Sequence, residues 1–251
     1  MEPLTNISLT GKTALITGGA RRLGAAIAQG LAQAGTNVVI HFNQSEADAV
    51  SLADTLGKQG VQAWTVQADL QNEAEVGGLI DKAAAMCASI DFLINNASVF
   101  EESSLDTVDE MQLSKNMKIN AWAPLILARN FSQVMPAGAI INMLDTKVLG
   151  YDREHLAYHL SKRCLNDSTK ILATELAPDF RVNAVAPGLV LGPSGKGETY
   201  LKDLADTVPL QGYSGPEAVV EAVLFLLRSA FITGQTIYID GGRHLHGSFY
   251  G

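Results

Sequence analysis

Cysteine, aromatic residues and long apolar runs are scarce in this 251-residue sequence, which has two cysteines and 6% aromatic residues. Cys87 and Cys164 each lie inside a helical pattern, so neither a disulfide framework nor a cysteine-rich metal site is supported. No stretch approaches the ~20 apolar residues of a membrane span, and residues 1–12 lack the basic start and apolar region of a secretory signal. We therefore predict a soluble, cytoplasmic protein.

Basic residues are also in the minority, with 18 Lys and Arg against 26 Asp and Glu and a formal net charge of -8. Because attraction to nucleic acids or anionic membranes needs a basic face, this balance argues against both as general partners. Hydrophobic residues make up 47% of the chain and charged residues 18%, which supports a sizeable core. The length fits one α/β unit, and we predict a single domain over residues 1–251.

Strand and helix patterns alternate from end to end, which predicts an α/β fold with a doubly wound parallel sheet of about seven strands and helices on both faces. Predicted strands cover residues 14–16, 37–42, 62–67, 91–95, 139–144, 181–186 and 236–240. Predicted helices cover residues from 23 onward, 45–57, 72–88, 108–135, 155–176 and 216–229. Residues 188–215 are rich in Gly, Pro and Ser, and we interpret them as a mobile substrate loop with one short helix.

The first strand runs into a glycine-rich turn, TALITGGARRLG, at residues 13–24. Gly18 and Gly19 permit a tight turn, and Gly24 lets the following helix pack close to the sheet. Apolar residues at helical spacing begin at Leu23, so the first amides of the helix face the turn and can hold a pyrophosphate. The pattern predicts a dinucleotide site in a Rossmann-type fold.

Three residues of this turn, Thr17, Gly18 and Gly24, resemble the Thr-Gly-x-x-x-Gly-x-Gly signature of the short-chain dehydrogenases/reductases. Arg22 stands where that signature has its middle glycine, and Arg-Leu-Gly at residues 22–24 is similar to the pteridine reductases within that family. A side chain at this position projects toward the cofactor phosphates and the substrate. The planar guanidinium of an arginine suits anionic, bidentate partners.

The second predicted strand ends in HFNQS, where dinucleotide folds that prefer NAD place an acid for the ribose 2′-hydroxyl. No acid stands there. Asn43, Gln44 and Ser45 can instead donate hydrogen bonds to a 2′-phosphate, and Arg21 can supply positive charge. We therefore predict NADPH as the cofactor, the alternative being a solvated polar loop without that role.

The family resemblance implies further cofactor contacts at the ends of later strands. Asp69 matches an acid near the adenine, although an Asp after a strand can also simply cap the next helix. Asn-Asn-Ala-Ser at residues 95–98 resembles an Asn-Asn-Ala-Gly element, and a Pro-Gly turn follows the sixth strand. The residues assigned to the cofactor on this basis are Asp69, Leu70, Asn96, Ala97, Ser98, Pro187, Gly188 and Leu189.

Tyr158 and Lys162 stand four residues apart in YHLSK, so on a helix they share one face. A phenol with a pKa near 10 exchanges protons poorly at neutral pH unless a neighbouring ammonium lowers that pKa, and the same lysine can hold the nicotinamide ribose. Tyr-x-x-x-Lys after the glycine turn and the Asn-Asn-Ala element resembles the catalytic pair of the short-chain family. The resemblance also implies that Asn120 belongs to a proton relay behind the lysine.

Asp145 stands thirteen residues before Tyr158, where most members of the family have a catalytic serine. A carboxyl group can donate a proton to a ring nitrogen or anchor an amino group, whereas a serine polarises a carbonyl. Pteridine reductases resemble the chain in having this aspartate. They also stack a phenylalanine on the pterin, which implies that role for Phe100, with Ser98 and Arg22 also at the substrate.

Three other residues have more than one interpretation. His155 and His159 are four residues apart, but no third metal ligand is apparent, and we interpret them as a surface pair. Arg243 lies in an Asp-Gly-Gly-Arg-His-Leu segment that resembles the ending of bacterial dihydromonapterin reductases. It either reaches the site of a neighbouring subunit or pairs with a surface acid.

Our first hypothesis is a pteridine reductase that transfers hydride from NADPH to a pterin such as dihydrobiopterin, dihydromonapterin or dihydrofolate. Tyr158 or Asp145 would supply the proton. The alternatives are a short-chain carbonyl reductase acting on a ketone or 3-oxoacyl group, and a catalytically idle NADP(H)-binding scaffold. The resemblance also implies a homotetramer that pairs the two longest helices and the last strand.

Overall fold

Strands and helices alternate along the chain in the computed structural model, which describes residues 6–87, 89–192, 198–246 and 249–250. The strands are β1 (Thr13–Ile16), β2 (Asn37–Phe42), β3 (Ala63–Gln67), β4 (Phe92–Asn95), β5 (Gly138–Met143), β6 (Tyr151–Asp152), β7 (Phe180–Pro187), β8 (Thr236–Ile239) and β9 (Phe249–Tyr250). The α-helices are α1 (Arg22–Gln33), α2 (Glu46–Gly57), α3 (Glu73–Cys87), α4 (Glu110–Met117), α5 (Ala123–Val134), α6 (Leu156–Glu175), α7 (Glu198–Leu204) and α8 (Pro216–Arg228).

Seven of the strands form one parallel sheet in the order β3-β2-β1-β4-β5-β7-β8. The sequence order reverses between β1 and β4, and in such sheets ligands bind outside the carboxyl ends of the strands at this reversal. The predicted α/β fold with about seven parallel strands is confirmed. Helices cover both faces because the strands are apolar on both sides.

Two buried clusters flank the sheet. On one face, α1 and α8 pack on the strands through side chains such as Ile27, Leu31 and Leu227. On the other face, α3 and α5 pack through side chains such as Leu79, Ile80 and Phe131. This packing fixes the strand ends that carry the polar residues of interest.

The long helix predicted over residues 108–135 is divided in the structure. A π-helical turn, Lys118–Trp122, separates α4 from α5. Pro124 stands at the start of α5 and has no amide hydrogen for the carbonyl of Asn120, four residues earlier, so the regular hydrogen-bond pattern cannot run through this point.

The segment that follows β7 contains the short helix expected there, α7. Residues 193–197 of the predicted loop lie outside the described part of the chain, and the mobility of residues 188–215 stays a prediction. The parallel pairing of β6 with β9 was not predicted, since two-residue strands leave no periodic pattern. Among the described helices, none is both long and apolar enough to cross a bilayer.

Candidate active site

A cavity of about 530 Å³ opens at the carboxyl ends of the parallel strands. It brings together most residues that the sequence assigned to cofactor and substrate. They are Gly18, Arg21, Arg22, Leu23, Gly24, Asn43, Asp69, Leu70, Asn96, Ala97, Ser98, Phe100, Asp145, Tyr158, Lys162, Pro187, Gly188 and Leu189. Thr17, Gln44, Ser45 and Asn120 lie outside the cavity wall.

The glycine turn after β1 is held against the end of β4. Gly18 adopts φ +60°, and a Cβ on Gly24 would lie 2.2 Å from the carbonyl oxygen of Gly18, so only glycine fits there. Thr17 Oγ1 accepts hydrogen bonds of 3.0 Å from the amides of Asn96 and Ala97. The Asn96 side chain donates in return to the carbonyls of Thr17 and Gly18. Thr17 and Asn96 therefore hold the glycine turn against the end of β4.

Arg22 has a backbone conformation that favours glycine, with φ +52°. Its guanidinium donates a hydrogen bond of 2.5 Å to the carbonyl of Gly192, beyond β7. The neighbouring Arg21 forms an exposed ion pair of 2.5 Å with Asp48 of α2. Arg22 thus adopts the backbone conformation expected of the glycine that the family has at this position. Its side chain adds a hydrogen bond to the segment after β7.

His41 on β2 is a cavity residue that the sequence analysis missed. It is buried, its Nδ1 accepts a hydrogen bond of 3.0 Å from the amide of Gly18, and its Nε2 lies 3.0 Å from the carbonyl of Ala68. Because one ring nitrogen must accept and the other must donate, these contacts select the neutral ring with the proton on Nε2. A histidine inside an otherwise apolar strand was the available signal.

Asn43 lines the cavity at the end of β2, while Gln44 and Ser45 follow it in the loop before α2. Asp69 also lines the cavity, and its Oδ1 accepts from the amide of Gln71. Asn72, not Asp69, accepts from an amide in the first turn of α3. Asp69 therefore does not act as the helix cap considered above.

Tyr158 and Lys162 project from α6 into the cavity, and both are buried. The Tyr158 hydroxyl donates a hydrogen bond of 3.0 Å to Asp145 Oδ2, and Asp145 Oδ1 accepts from the amide of Lys147 at 2.8 Å. Lys162 Nζ donates to the carbonyl of Met143 at 2.7 Å. The structure thus brings Asp145, Tyr158 and Lys162, which the sequence predicted to be catalytic, into one cavity.

The Asp145 carboxylate changes the proton affinity of its neighbours. Burial, together with the charge and hydrogen bond of Asp145, raises the pKa of the Tyr158 phenol well above its usual value. Burial lowers the pKa of Lys162 to about 8, and the charge of Asp145 opposes that shift. We expected Lys162 to lower the phenol pKa. In this arrangement burial and Asp145 act in the opposite direction, and the Lys162 ammonium is bound to the Met143 carbonyl.

Asn120 lies in the π-helical turn and is fully buried. Its Oδ1 accepts from Ser98 Oγ at 3.1 Å and from the amide of Val99 at 2.9 Å, and its Nδ2 donates to Ser161 Oγ at 3.0 Å. In the part of the chain that the structure describes, its bonds connect the end of β4 with α6 and do not reach the Lys162 ammonium.

Phe100 lines the cavity next to Tyr158, with the ring centres 4.7 Å apart in an edge-to-face arrangement. The ring of His155 stacks on Phe100 at 3.9 Å, with 14° between the planes. His155 is largely buried and His159 is 3% exposed, so the interpretation as a surface pair is wrong. Within the described residues, no group of three or more His, Cys, Asp or Glu side chains is placed to hold a metal ion.

The segment after β8 closes another side of the cavity. A Cβ on Gly188 would lie 2.5 Å from the Cβ of Asp240, which requires glycine at this crossing. Asp240 accepts hydrogen bonds from the hydroxyl of Thr146 and from the amide of His244. Arg243 lines the cavity of its own chain, a position that neither of our two interpretations included.

Cations outnumber acids in the cavity wall, although the chain is acidic. The cations are Arg21, Arg22, Lys147, Lys162 and Arg243, and the acids are Asp69 and Asp145. Arg21 and Lys147 are paired with Asp48 and Asp152, which lie outside the wall. An excess of positive charge in a cleft favours anionic ligands. The glycine turn, the helix N-terminus behind it and these cations fit a phosphate-bearing dinucleotide.

Comparison with known proteins agrees with this geometry. The family profile described as enoyl-(acyl carrier protein) reductase matches residues 18–244. The chain belongs to the short-chain dehydrogenase/reductase family. Pteridine reductase 1 of Leishmania tarentolae is 33% identical to the chain over an alignment of 287 positions, gaps included, which covers 95% of the chain and 98% of that protein. The 3-oxoacyl-[acyl-carrier-protein] reductase FabG of Aquifex aeolicus is 30% identical, covering 94% and 98%.

Solved structures of short-chain reductases also superpose on the chain. FolM alternative dihydrofolate reductase 1 of Brucella canis, complexed with NADP, has a TM-score of 0.88 and 34% identity, covering 95% of this chain and 96% of that one. A blue fluorescent protein from a metagenomic library, in complex with NADPH, has a TM-score of 0.87 and 28% identity, covering 94% and 99%. The relatives thus bear both pteridine or dihydrofolate reductase names and a 3-oxoacyl reductase name.

Proposed function

We propose that this short-chain reductase uses NADPH to reduce a pterin ring. The observation that carries the proposal is the carboxylate of Asp145, 3.0 Å from the Tyr158 hydroxyl, in a cavity that also presents the ring of Phe100. A carboxylate and a flat aromatic surface suit a planar heterocycle with an amino group and ring nitrogens. Relatives that bear pteridine and dihydrofolate reductase names support the same substrate class.

NADP(H) is the cofactor, as predicted, and the solved relatives are complexes with NADP or NADPH. The cradle between Gly18 and Gly24 is too narrow for a Cβ and is open to the first turn of α1, which fits the pyrophosphate. We assign the 2′-phosphate to Arg21, Asn43, Gln44 and Ser45. In that arrangement, Arg21 would leave or share its exposed pair with Asp48.

The chain itself supplies the proton and the orientation of the substrate. We assign Tyr158 Oη as the proton donor because its hydroxyl lies in the cavity beside Asp145. Its raised pKa makes the proton harder to release, so the charge of Lys162 has to stabilise the phenolate that forms. Asp145 is the acceptor that aligns the hydroxyl and binds the amino edge of the substrate. Lys162 holds the ribose and places a positive charge beneath the forming oxyanion of Tyr158. NADPH supplies the hydride when bound.

Two further residues define the shape of the substrate site. We assign Phe100 as one face of the pterin pocket, with its exposed face toward the cavity and His155 on its other face. We assign Arg22 to the cofactor phosphates and the polar edge of the pterin, within reach of the Gly192 carbonyl that it now binds. Asn120 supports this wall through Ser98.

Oxidation of NADPH tests the proposal directly. The purified protein should consume NADPH with dihydrobiopterin, dihydromonapterin or dihydrofolate, and much more slowly with ketones or 3-oxoacyl thioesters. The second candidate, a carbonyl reductase, is favoured by the intact Tyr158 and Lys162 pair and by the FabG relative. A wide preference for the ketone would establish that candidate, and no turnover with either class would favour the idle NADP(H)-binding scaffold.

We also propose that the chain forms a homotetramer. Three large apolar side chains are exposed on neighbouring helices, Trp122 beside α5 and Leu160 and Ile171 on one face of α6. Phe231 is exposed beside β8, which is the edge strand of the sheet. These are the two surfaces expected to pair. Light scattering at micromolar concentration should give four chains for the native protein and fewer for Ile171→Glu, whereas a monomeric native protein would contradict the proposal.

A further inference from the structure

A buried carboxylate lies beside the substrate end of the cavity, outside the residues discussed so far. Asp152 of β6 is 1% exposed and accepts from the ring of His155, with Nδ1 3.0 Å and 3.2 Å from its two oxygens. It also accepts from the ammonium of Lys147 and from the amides of Glu154 and His155. A buried charge with this many donors is held rigidly in place.

The first consequence concerns the wall behind Phe100. Phe100 lines the cavity and His155 does not, so the His155 ring covers the face of Phe100 that points away from the cavity. A ring that stacks at 3.9 Å with 14° between the planes can hold its partner only if its own plane is fixed. The hydrogen bond from His155 Nδ1 to Asp152 fixes that plane.

The second consequence concerns Lys147, which is part of the cavity wall. Its amide donates to Asp145 Oδ1 at 2.8 Å, its ammonium binds Asp152, and that ammonium lies 5.4 Å from the centre of the Phe100 ring. Asp152 therefore restrains two groups that lie against Phe100. One of these groups belongs to the same turn as the proposed substrate-binding carboxylate.

We propose that Asp152 is a positioning residue that holds Phe100, through His155 and Lys147, in the orientation needed to stack a flat substrate. This proposal rests on the function proposed above, since it concerns the same substrate site. Asp152 does not line the cavity, and its oxygens are occupied by protein donors. Its direct contacts are therefore with groups that position the substrate, while its charge adds to the raised pKa of Tyr158.

Kinetics of paired variants test this role. Asp152→Asn and His155→Leu should each raise the KM for the dihydropterin about three- to tenfold, the range that one aromatic stacking contact contributes. In His155→Leu, which keeps the charge of Asp152, kcat should change less than about twofold. His155→Phe keeps a flat ring behind Phe100 and should retain most of the native KM. In the double variant of Asp152→Asn with His155→Leu, KM should rise by less than the product of the two single increases, because both changes weaken the same His155 support.

Asp91→Asn is the matched control. Asp91 accepts from the ammonium of Lys12 at 2.8 Å and from the amide of Thr13 at 2.9 Å, at the opposite ends of the strands. Like Asp152→Asn, this variant removes a carboxylate that binds both an ammonium and a backbone amide. It should therefore lower the melting temperature while leaving KM unchanged. The Kd for NADPH should stay native in every variant, since the affected residues lie at the substrate end.

Two results would overturn the positioning role. One is a native KM in both Asp152→Asn and His155→Leu, and the other is an equal loss of NADPH affinity in both. If Asp152→Asn does not fold, His155→Leu and His155→Phe give the same comparison. Failure of the proposed function is a separate outcome, because it shows as a lack of pterin reduction by the native protein. If the native protein reduces a ketone instead, the KM of each variant is measured with that ketone. Nitrogen NMR of the His155 ring, expected to carry its proton on Nδ1 in the native protein, gives a readout that needs no substrate.

Discussion

The amide of Gly18 donates a hydrogen bond of 3.0 Å to Nδ1 of His41, on the neighbouring strand. The glycine turn that faces the cofactor is therefore shaped by a side chain as well as by its own glycines. Burial lowers the pKa of His41 to about 4, while the Ala68 carbonyl and the Asp69 charge oppose the shift. Protonation of Nδ1 would place two N–H groups against each other and break the contact.

His41 should make the protein sensitive to acid. Its folded-state pKa of about 4 lies below the ordinary histidine pKa of 6.5, so unfolded chains bind a proton first as the pH falls. The stabilisation is complete above pH 6.5 and is lost progressively toward pH 4. Between about pH 7.5 and about pH 5, the loss should be about 2 kcal/mol. Urea unfolding at a series of pH values should show this loss in the free energy of unfolding. His41→Gln should be less stable at neutral pH, and its free energy of unfolding should change less with pH.

Variants of Arg22 should separate its backbone from its side chain. Arg22 has φ +52°, so Arg22→Ala keeps the strained conformation and loses the bond to Gly192, while Arg22→Gly relieves the strain. Arg22→Gly should be more stable than Arg22→Ala by about 1 kcal/mol in chemical unfolding. Both should raise KM for the pterin and for NADPH. Equal stability of the two variants would mean that the left-handed conformation costs little.

Tyr158→Phe and Asp145→Ser should affect catalysis in different ways. Tyr158→Phe removes the proton donor and should reduce kcat at least about 100-fold, with a Kd for NADPH close to native. Asp145→Ser should reduce pterin turnover and can raise ketone turnover, since a serine restores a hydroxyl that polarises a carbonyl. Steady-state kinetics with one dihydropterin and one activated ketone distinguish them. Near-native pterin turnover in Tyr158→Phe would remove this tyrosine from the mechanism.

The pH dependence of activity should report on Lys162. Burial lowers its pKa to about 8, so its ammonium is present below this pH and is lost above it. We expect kcat/KM to decline above pH of about 8. In Lys162→Arg the cation persists, so the remaining activity should decline only at higher pH. Profiles for the native protein and the variant, measured with saturating NADPH, make the comparison; coincident profiles would assign the decline to another group.

Cofactor preference should respond to the loop after β2. Asn43 lines the cavity and no acid occupies this loop, so Asn43→Asp should repel the 2′-phosphate and lower kcat/KM for NADPH relative to NADH by about tenfold. Asn43→Ser, which adds no charge, is the control. Equal use of NADPH and NADH by the native protein would contradict the assignment of this loop.

Features encoded by local patterns could be predicted from the sequence. The alternation of strands and helices predicted the seven-stranded parallel sheet, and the glycine turn, Tyr158 and Lys162 line one cavity, as their patterns predicted. The role of His41 could not be predicted, because it depends on the register of β2 beside β1, which brings residues 23 positions apart into contact. Sequence spacing alone does not fix that register.

The Asp152 cluster escaped prediction for a related reason. His155 and Asp152 are three residues apart, yet their burial depends on Phe100 reaching them from the loop after β4. The direction of the Tyr158 pKa shift also escaped prediction, because it depends on the burial of the phenol and on its hydrogen bond to Asp145. Neither can be derived from sequence spacing.

The π-helical turn at Lys118–Trp122 gives the helical segment between residues 110 and 134 two rotational phases. A π-helical turn holds about one more residue than an α-helical turn, so α5 is rotated by roughly 100° from the phase that α4 would impose. The inserted residue lets the turn direct Asn120 toward Ser98 and Ser161 while α5 buries an apolar stripe on the sheet. Because Pro124 lacks an amide hydrogen, deleting one residue here would not restore a regular α-helix. It would instead rotate either Asn120 or the apolar stripe of α5 by roughly 100° away from its contacts, so the number of residues in this turn matters to the site as much as the identity of its side chains.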